Sequence, residues 1–274
     1  MKTYLLFTLA ICISCASAQD LPEIKGDRNP TTEVTNTGPI TDIELGGEWK
    51  VQLIKGKYSS VEILTDSNLH DVILVDNRNG KLSLGLSKEI RSKRKLEVRV
   101  MVTDSLQSIL VKNDAQLKTL TELSLNDVRV EAFDDAELEM ELQADELMLT
   151  MHRSTKGEFK ARADVFNIKL YQNANLKGEF RGKSMDFNMS DRTDATLKGN
   201  VDEIQLNLKD NAEWRGKDLQ GENIRVTADD DVNVRTHAKD ELILNLIEDS
   251  TCYVYGNPKI TIEVFKGDAT IKKE

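Results

Sequence analysis

The chain has 274 residues and a formal net charge of −10, from 37 Lys and Arg against 47 Asp and Glu; only 5% of its residues are aromatic. A surplus of carboxylates argues against non-specific nucleic-acid binding, which depends on cations set against phosphates. So few rings argue against a broad globular core but suit a narrow one filled by aliphatic side chains, and no later stretch approaches the length of a membrane-spanning helix.

The first residues have the form of a secretory signal, assigned to residues 1–18. Lys2 supplies the positive start, Tyr4 to Ile13 a short apolar run, and Ala16-Ser17-Ala18 an A-x-A cleavage site that leaves Gln19 as the first mature residue. The expected location is therefore outside the cytoplasm: periplasm, outer membrane, cell surface or extracellular space. The alternative is a lipoprotein anchored at Cys15, although Cys12-Ile13-Ser14 fits a lipoprotein cleavage box only loosely. With the signal removed Cys252 stands alone, so no internal disulfide is available. It lies in the alternating run Thr251-Cys252-Tyr253-Val254-Tyr255 and reads as a small buried hydrophobe.

Residues 19–38 hold Pro22 and Pro30 among polar residues and predict an extended leader with little structure of its own. One continuous domain is expected over 39–274. In its first part, 39–105, apolar residues alternate at Ile43 and Leu45, Val51 and Leu53, Val61 and Ile63, and Val72 and Leu74. Asn79-Gly80 marks a turn before Leu82-Leu84-Leu86, and Leu96, Val98, Val100 and Val102 follow with period two. Lys88, Arg91, Lys93, Arg94 and Lys95 form a basic cluster between two strands. It is expected to be a solvated connection, with contact to an acidic glycan, a lipid headgroup or a partner as the functional alternative.

Over 106–256 one three-beat apolar pattern returns eight times at roughly 19-residue spacing. Its last beat falls on Val111, Ala132, Met151, Leu170, Met189, Leu208, Ala228 and Leu246. Two residues earlier stand Ile109, Val130, Leu149, Ile168, Phe187, Leu206, Val226 and Leu244. The positions between are mostly polar, as a strand buried on one face demands. After a turn comes a second short strand, whose inward residues are read as Leu117, Leu138, Phe159, Leu176, Leu197, Trp214, Val234 and Cys252, with corner loops varying in length. Like residues recurring at like positions predict an all-β chain whose single-strand coils stack in parallel, a β-helix or β-solenoid, about 4.8 Å per coil. Residues 257–274 are read as its C-terminal cap.

The corner turns are rich in Asp and Asn. Turn chemistry explains this, because both tolerate left-handed backbone. A calcium site is the functional alternative; Asp229, Asp230 and Asp231 would be its first choice, and otherwise no cofactor is expected. His70, His152 and His237 lack metal-ligand spacing. The best candidate binding surface is the outward row of Asn167, Asn188, Gln205, Asn207, Thr227 and Asn245, whose amides and hydroxyl match the hydrogen-bonding groups of an extended sugar.

Several phrases carry a family resemblance: Trp49-Lys50-Val51-Gln52-Leu53 followed by Lys55-Gly56, Ser67-Asn68-Leu69, Asn79-Gly80-Lys81-Leu82-Ser83-Leu84, and Val254-Tyr255-Gly256-Asn257-Pro258. With the Asp114-Ala115 and Asp135-Ala136 turns, the chain over roughly 38–268 resembles the GIN head domain family of auto-transporter adhesins. The resemblance implies export, a Bacteroidetes-type source and a right-handed parallel β-helix, and it brings no catalytic residues. The expectation is a secreted, non-enzymatic β-solenoid that binds or scaffolds at the cell envelope or surface, its partner a glycan or an envelope or surface protein. The alternatives are a carbohydrate-active enzyme using the acidic turns, and a structural protein whose partners are copies of itself in a homo-oligomer.

Overall fold

The computed structural model describes residues 21–274, so the signal sequence and Cys15 lie outside the described residues. It is 70% strand and 2% helix, a β-solenoid of about nine turns. Over the regular region each coil is one long strand bent through its corners: Glu137–His152, Lys156–Tyr171, Asn175–Met189, Asp194–Lys209, Glu213–Asp229 and Asn233–Ile247. Each pairs in parallel with the next, and the register joins Leu149, Ile168, Phe187 and Leu206 into one column. All four are fully buried, as are most of the two flanking beats. Parallel pairing needs a long return path between neighbours, and here the rest of the coil supplies it.

Position-specific small residues and local backbone geometry let the coil close. Just after each Asp/Asn-rich corner lies a buried column of Ala115, Ala136, Thr155, Ala174, Thr193, Ala212, Val232 and Ser250. The corners themselves use left-handed backbone at Asn113, Asp134, Asn173, Asp191, Asp210, Asn211, Asp230 and Asp231, with φ between 50° and 69°. Among side-chain-bearing residues Asp and Asn adopt this region at the lowest cost, which is why they crowd the turns.

The second strand departs from the reading given above. Its first inward column is Leu138, Gly157, Leu176, Ala195, Trp214, Val234 and Cys252. Phe159 and Leu197 belong to the next column, stacked with Met140 and Gly178. The corner is therefore constant in length; the apparent variation came from taking the nearest large residue as the inward one. Size is traded between columns. A Cβ on Gly157 would stand 3.0 Å from Phe159 Cε2, and one on Gly178 2.9 Å from Phe180 Cε2. Phe180 meets Phe166 edge-to-face at 5.3 Å, and Trp214 meets Phe187 at 4.9 Å. Large rings lie over small neighbours, so the interior volume is filled without a fixed residue at any one position.

The N-terminal part is not a simple continuation of the ladder. Asp42–Leu45 and Lys50–Lys55 stack on Ser108–Val111 and Gln116–Thr119, and on their other side on Lys81–Leu86 and Leu96–Val102. The first coil in sequence is thus second or later in space. Antiparallel pairs close this end: Pro30–Asn36 on Ser60–Asp66, Ser60–Asp66 on Leu96–Val102, and the hairpin Ile73–Arg78 with Lys81–Leu86. The hairpin turns at Asn79 (φ 54°) and Gly80 (φ 88°), as its sequence foretold. The segment 19–38, expected to have little structure, contributes two paired strands, Glu23–Lys25 and Pro30–Asn36. Pro30 starts its strand and so interrupts no ladder hydrogen bond within it. At the other end, Lys259–Phe265 and Thr270–Lys273, in the segment read as the C-terminal cap, add in parallel as a further partial coil.

These packing relations make one quantitative expectation. Phe159→Ala removes a fully buried ring that no neighbour can replace and should lower unfolding free energy by about 3–5 kcal/mol. Lys160→Ala, on the exposed face beside it, should change it by less than about 0.5 kcal/mol. Urea titrations followed by circular dichroism distinguish the two; equal effects would contradict the column assignment.

Candidate binding face

The outward positions of one side of the solenoid form two adjacent columns. One runs Met148, Asn167, Asp186, Gln205, Arg225 and Ile243; the other runs Thr150, Lys169, Asn188, Asn207, Thr227 and Asn245. All six residues expected to make a binding surface therefore share a face, because strand alternation sends every second side chain outward and the register stacks them. The face is concave. A trough of about 590 Å³ runs across its coils, lined by Asn167 and Gln205 together with Asp186, Glu203, Asn223, Arg225 and Glu241 among others. Asn188, Asn207, Thr227 and Asn245 do not line the trough; they form the ridge beside it. Sequence reasoning missed Ser184, Glu203, Asn223 and Glu241, a third outward column two positions upstream. The same period-two rule would have found them had it been carried one step further toward the corner.

Much of the donor capacity of this face is spent within it. Asn167 Nδ2 donates to Glu146 Oε1 at 2.5 Å, Asn188 Nδ2 to Asp186 Oδ1 at 2.8 Å, and Asn207 Nδ2 to Asn188 Oδ1 at 3.2 Å. Asn223 Nδ2 donates to Glu203 Oε1 at 2.7 Å, and Asn245 Nδ2 to Glu263 Oε2 at 3.2 Å. Arg225 Nη1 donates to the same Glu263 oxygen at 2.6 Å. Asn207 Nδ2 also reaches Asp186 Oδ1 at 3.5 Å; the other amides retain a second N–H, and the oxygens of Asn207 and Gln205 remain as acceptors. The result is a face whose asparagine amides are tied to neighbouring side chains, with acceptors in excess.

The other candidates fall apart or turn structural. Asp230 and Asp231 are the left-handed corner residues (φ 64° and 50°), and Asp231 Oδ2 accepts from Asn211 Nδ2 at 2.9 Å. Among the described residues no three His, Cys, Asp or Glu side chains converge on a point where a cation would sit, so Asp229, Asp230 and Asp231 are not gathered into a cage. Arg153 pairs with Asp134 one coil below, relieving the stacked acids. His152 is held between Phe133 and Tyr171, ring centroids 4.8 Å away on either side, and burial holds its pKa below the ordinary imidazole value. His70 and His237 lie elsewhere, hydrogen-bonded to Thr31 and to the Lys217 carbonyl. Cys252 is completely buried, and desolvation pushes its thiol up to about 12, so it is packed as the small hydrophobe its sequence indicated.

A family model described as "Putative auto-transporter adhesin, head GIN domain" matches residues 39–164 and again 153–258. The chain belongs to this family. Two overlapping matches along one chain are what stacked, similar coils produce. No curated protein matches the sequence. Among solved structures, a "putative adhesin" from Parabacteroides merdae is 14% identical with a TM-score of 0.69, covering 92% of this chain and 99% of its own. A "putative adhesin" from Parabacteroides distasonis gives the same identity and score, with 92% and 100% coverage. A "Putative lipid binding protein" from Parabacteroides distasonis scores 0.61 at 14% identity, covering 92% and 99%. At this identity the likeness is one of fold, and it extends over nearly the whole of each chain.

The face carries an electrostatic expectation. Arg225, then Asn245, hold the Glu263 carboxyl below its ordinary value. A depressed carboxylate contributes stability above its unfolded pKa and loses it as pH falls through the folded one. Arg225→Gln should therefore raise the Glu263 midpoint toward the ordinary carboxylate value, read by side-chain carboxyl NMR between pH 2 and 6. A midpoint that does not move would show that the contact is absent in solution.

Proposed function

We propose that this protein is a non-enzymatic binding or scaffolding module, exported to the cell envelope or surface, that grips an extended glycan along the trough from Asn167 to Glu241. The observation that carries the reading is the trough itself. It repeats outward positions coil after coil, about 4.8 Å apart, and hydrogen bonds hold Asn167, Asp186, Glu203 and Asn223 in place. A long, shallow, acceptor-rich trough fits a chain of sugar hydroxyls better than a compact solute. The family's description as adhesin heads supports a binding role at the surface.

The enzymatic alternative has less behind it. A general acid on a glycan needs a carboxyl raised toward neutrality. The carboxyls that the fold displaces, Asp27, Glu44 and Glu263, are all displaced downward by donors. Carboxylates in the trough mostly accept from neighbouring amides.

A glycan array probed with the purified protein, with and without calcium, tests the proposal. Binding without release of shorter saccharides is expected, unchanged by calcium. Asp186→Ala and Gln205→Ala should each weaken that binding roughly three- to tenfold, the worth of a hydrogen bond. Product release would establish the enzyme, and no binding to any glycan would leave self-association as the role and overturn the reading.

A further inference from the structure

The basic cluster noted in the sequence is not an isolated loop. Glu89–Ser92 is a strand, and Glu23–Lys25 pairs with it in parallel, setting Lys25 opposite Ser92. Gly26 N donates to the Ser92 carbonyl at 2.8 Å, and Arg94 Nη1 to the Arg28 carbonyl at 3.4 Å. This pairing draws two further cations, Lys25 and Arg28, alongside Lys88, Lys93 and Arg94. All five are exposed.

Of the nearby carboxylates three are ion-paired and two accept hydrogen bonds from uncharged donors; Asp71, exposed and next to the Val72 carbonyl that accepts the Ser87 amide, has no partner among the described residues. Glu23 and Glu89 pair with Arg91, and Glu97 with Lys95 and Arg99. Asp27 accepts from Ser67 and from the Asn29 amide, and the buried Asp66 accepts from the Arg94 amide. Among the described residues, none of Lys25, Arg28, Lys88, Lys93 and Arg94 has a carboxylate ion-pair partner.

Charge is divided along the solenoid. Residues 21–105 carry thirteen Lys and Arg and thirteen Asp and Glu, so the net charge of −10 falls on the coils beyond. The five unpaired cations sit at the N-terminal end of the stack, beside the outlying strands that close it. A rod whose neutral end displays five unpaired cations and whose flanks are acidic is attracted to an extended anionic plane end-on and repelled side-on. An acidic polymer would instead call for a cationic stripe along the coils, and the coils carry the opposite sign.

We infer that the Lys25, Arg28, Lys88, Lys93, Arg94 patch docks this end of the solenoid on an anionic lipid surface, leaving the coils and their trough projecting away from it. The recognised chemistry is a plane of phosphate headgroups. The inference stands apart from the glycan reading and survives its failure.

Sedimentation with vesicles tests it. The protein should bind vesicles containing about 30% phosphatidylglycerol in phosphatidylcholine more tightly than pure phosphatidylcholine, and the difference should vanish near 0.5 M NaCl. At roughly fivefold per cation, Lys88→Gln, Lys93→Gln and Arg94→Gln together should weaken partitioning on the order of 100-fold. Lys156→Gln, Lys177→Gln and Lys198→Gln, the same charge change on the distant coils, should not weaken it. Equal binding to both vesicles, binding that persists in salt, equal loss in both triple variants, or displacement from vesicles by soluble dextran sulfate at equal phosphate and sulfate concentration would each overturn the inference. Circular dichroism of both triple variants should overlay the parent, since every replaced side chain is exposed.

Discussion

Everything in this molecule depends on parallel, in-register contact between one coil and the next. No coil has a core of its own. Ile168 is buried because Leu149 lies on one side of it and Phe187 on the other, and the backbone of its strand is hydrogen-bonded to the strands that carry them. Apolar burial and backbone hydrogen bonding are therefore not separable contributions here. Both are fixed by one choice of register, and a shift by one residue would turn the aliphatic columns toward water. The exposed pairs one coil apart, such as Lys156 with Glu137, Lys160 with Glu141 and Lys183 with Asp164, follow from that register. Each is worth little alone, but a slipped register would lose them together.

The same contact builds the candidate site. Outward side chains are stacked for the reason that inward ones are, so Asn167, Asp186 and Gln205 stand in a column that no single coil specifies. This gives a surface whose spacing is set by the backbone and whose chemistry is free to vary. Pre-ordering by amide-to-carboxylate hydrogen bonds lowers the entropy lost on binding, which is the physical advantage of a ladder over a loop site.

Much of this was legible in the sequence, where the physics is periodic. The eight inward beats, the corner Asp and Asn residues, the Asn79-Gly80 hairpin and the buried Cys252 all follow from local rules. What sequence could not supply was the pairing of the N-terminal strands. Alternation at Val61 and Ile63 is the same whether the strand pairs in parallel or antiparallel, so the antiparallel closure of the N-terminal end had no signature. Pro22 and Pro30 read as punctuation, yet Pro30–Asn36 lies along Ser60–Asp66. Gly157 and Ala195 occupy inward positions, but being small they were passed over in favour of Phe159 and Leu197; volume is conserved across columns and cannot be read within one. The row of Asn188, Asn207 and Asn245 was visible, whereas the column of Glu203 and Glu241 two positions upstream follows from the same alternation carried one step further.

The most direct test of the stacking is a ruler laid along it. Thr150 and Asn245 stand in the same outward column, five coil steps apart. Spin labels at these positions should give a narrow distance distribution near 24 Å by double electron–electron resonance, at roughly 4.8 Å per step, broadened only by the label linkers. Labels at Thr150 and Asn207, three steps apart, should stand about 14 Å apart. Distances that fail to scale with the number of coils, or a broad distribution for the longer pair, would contradict the parallel stack on which the account rests.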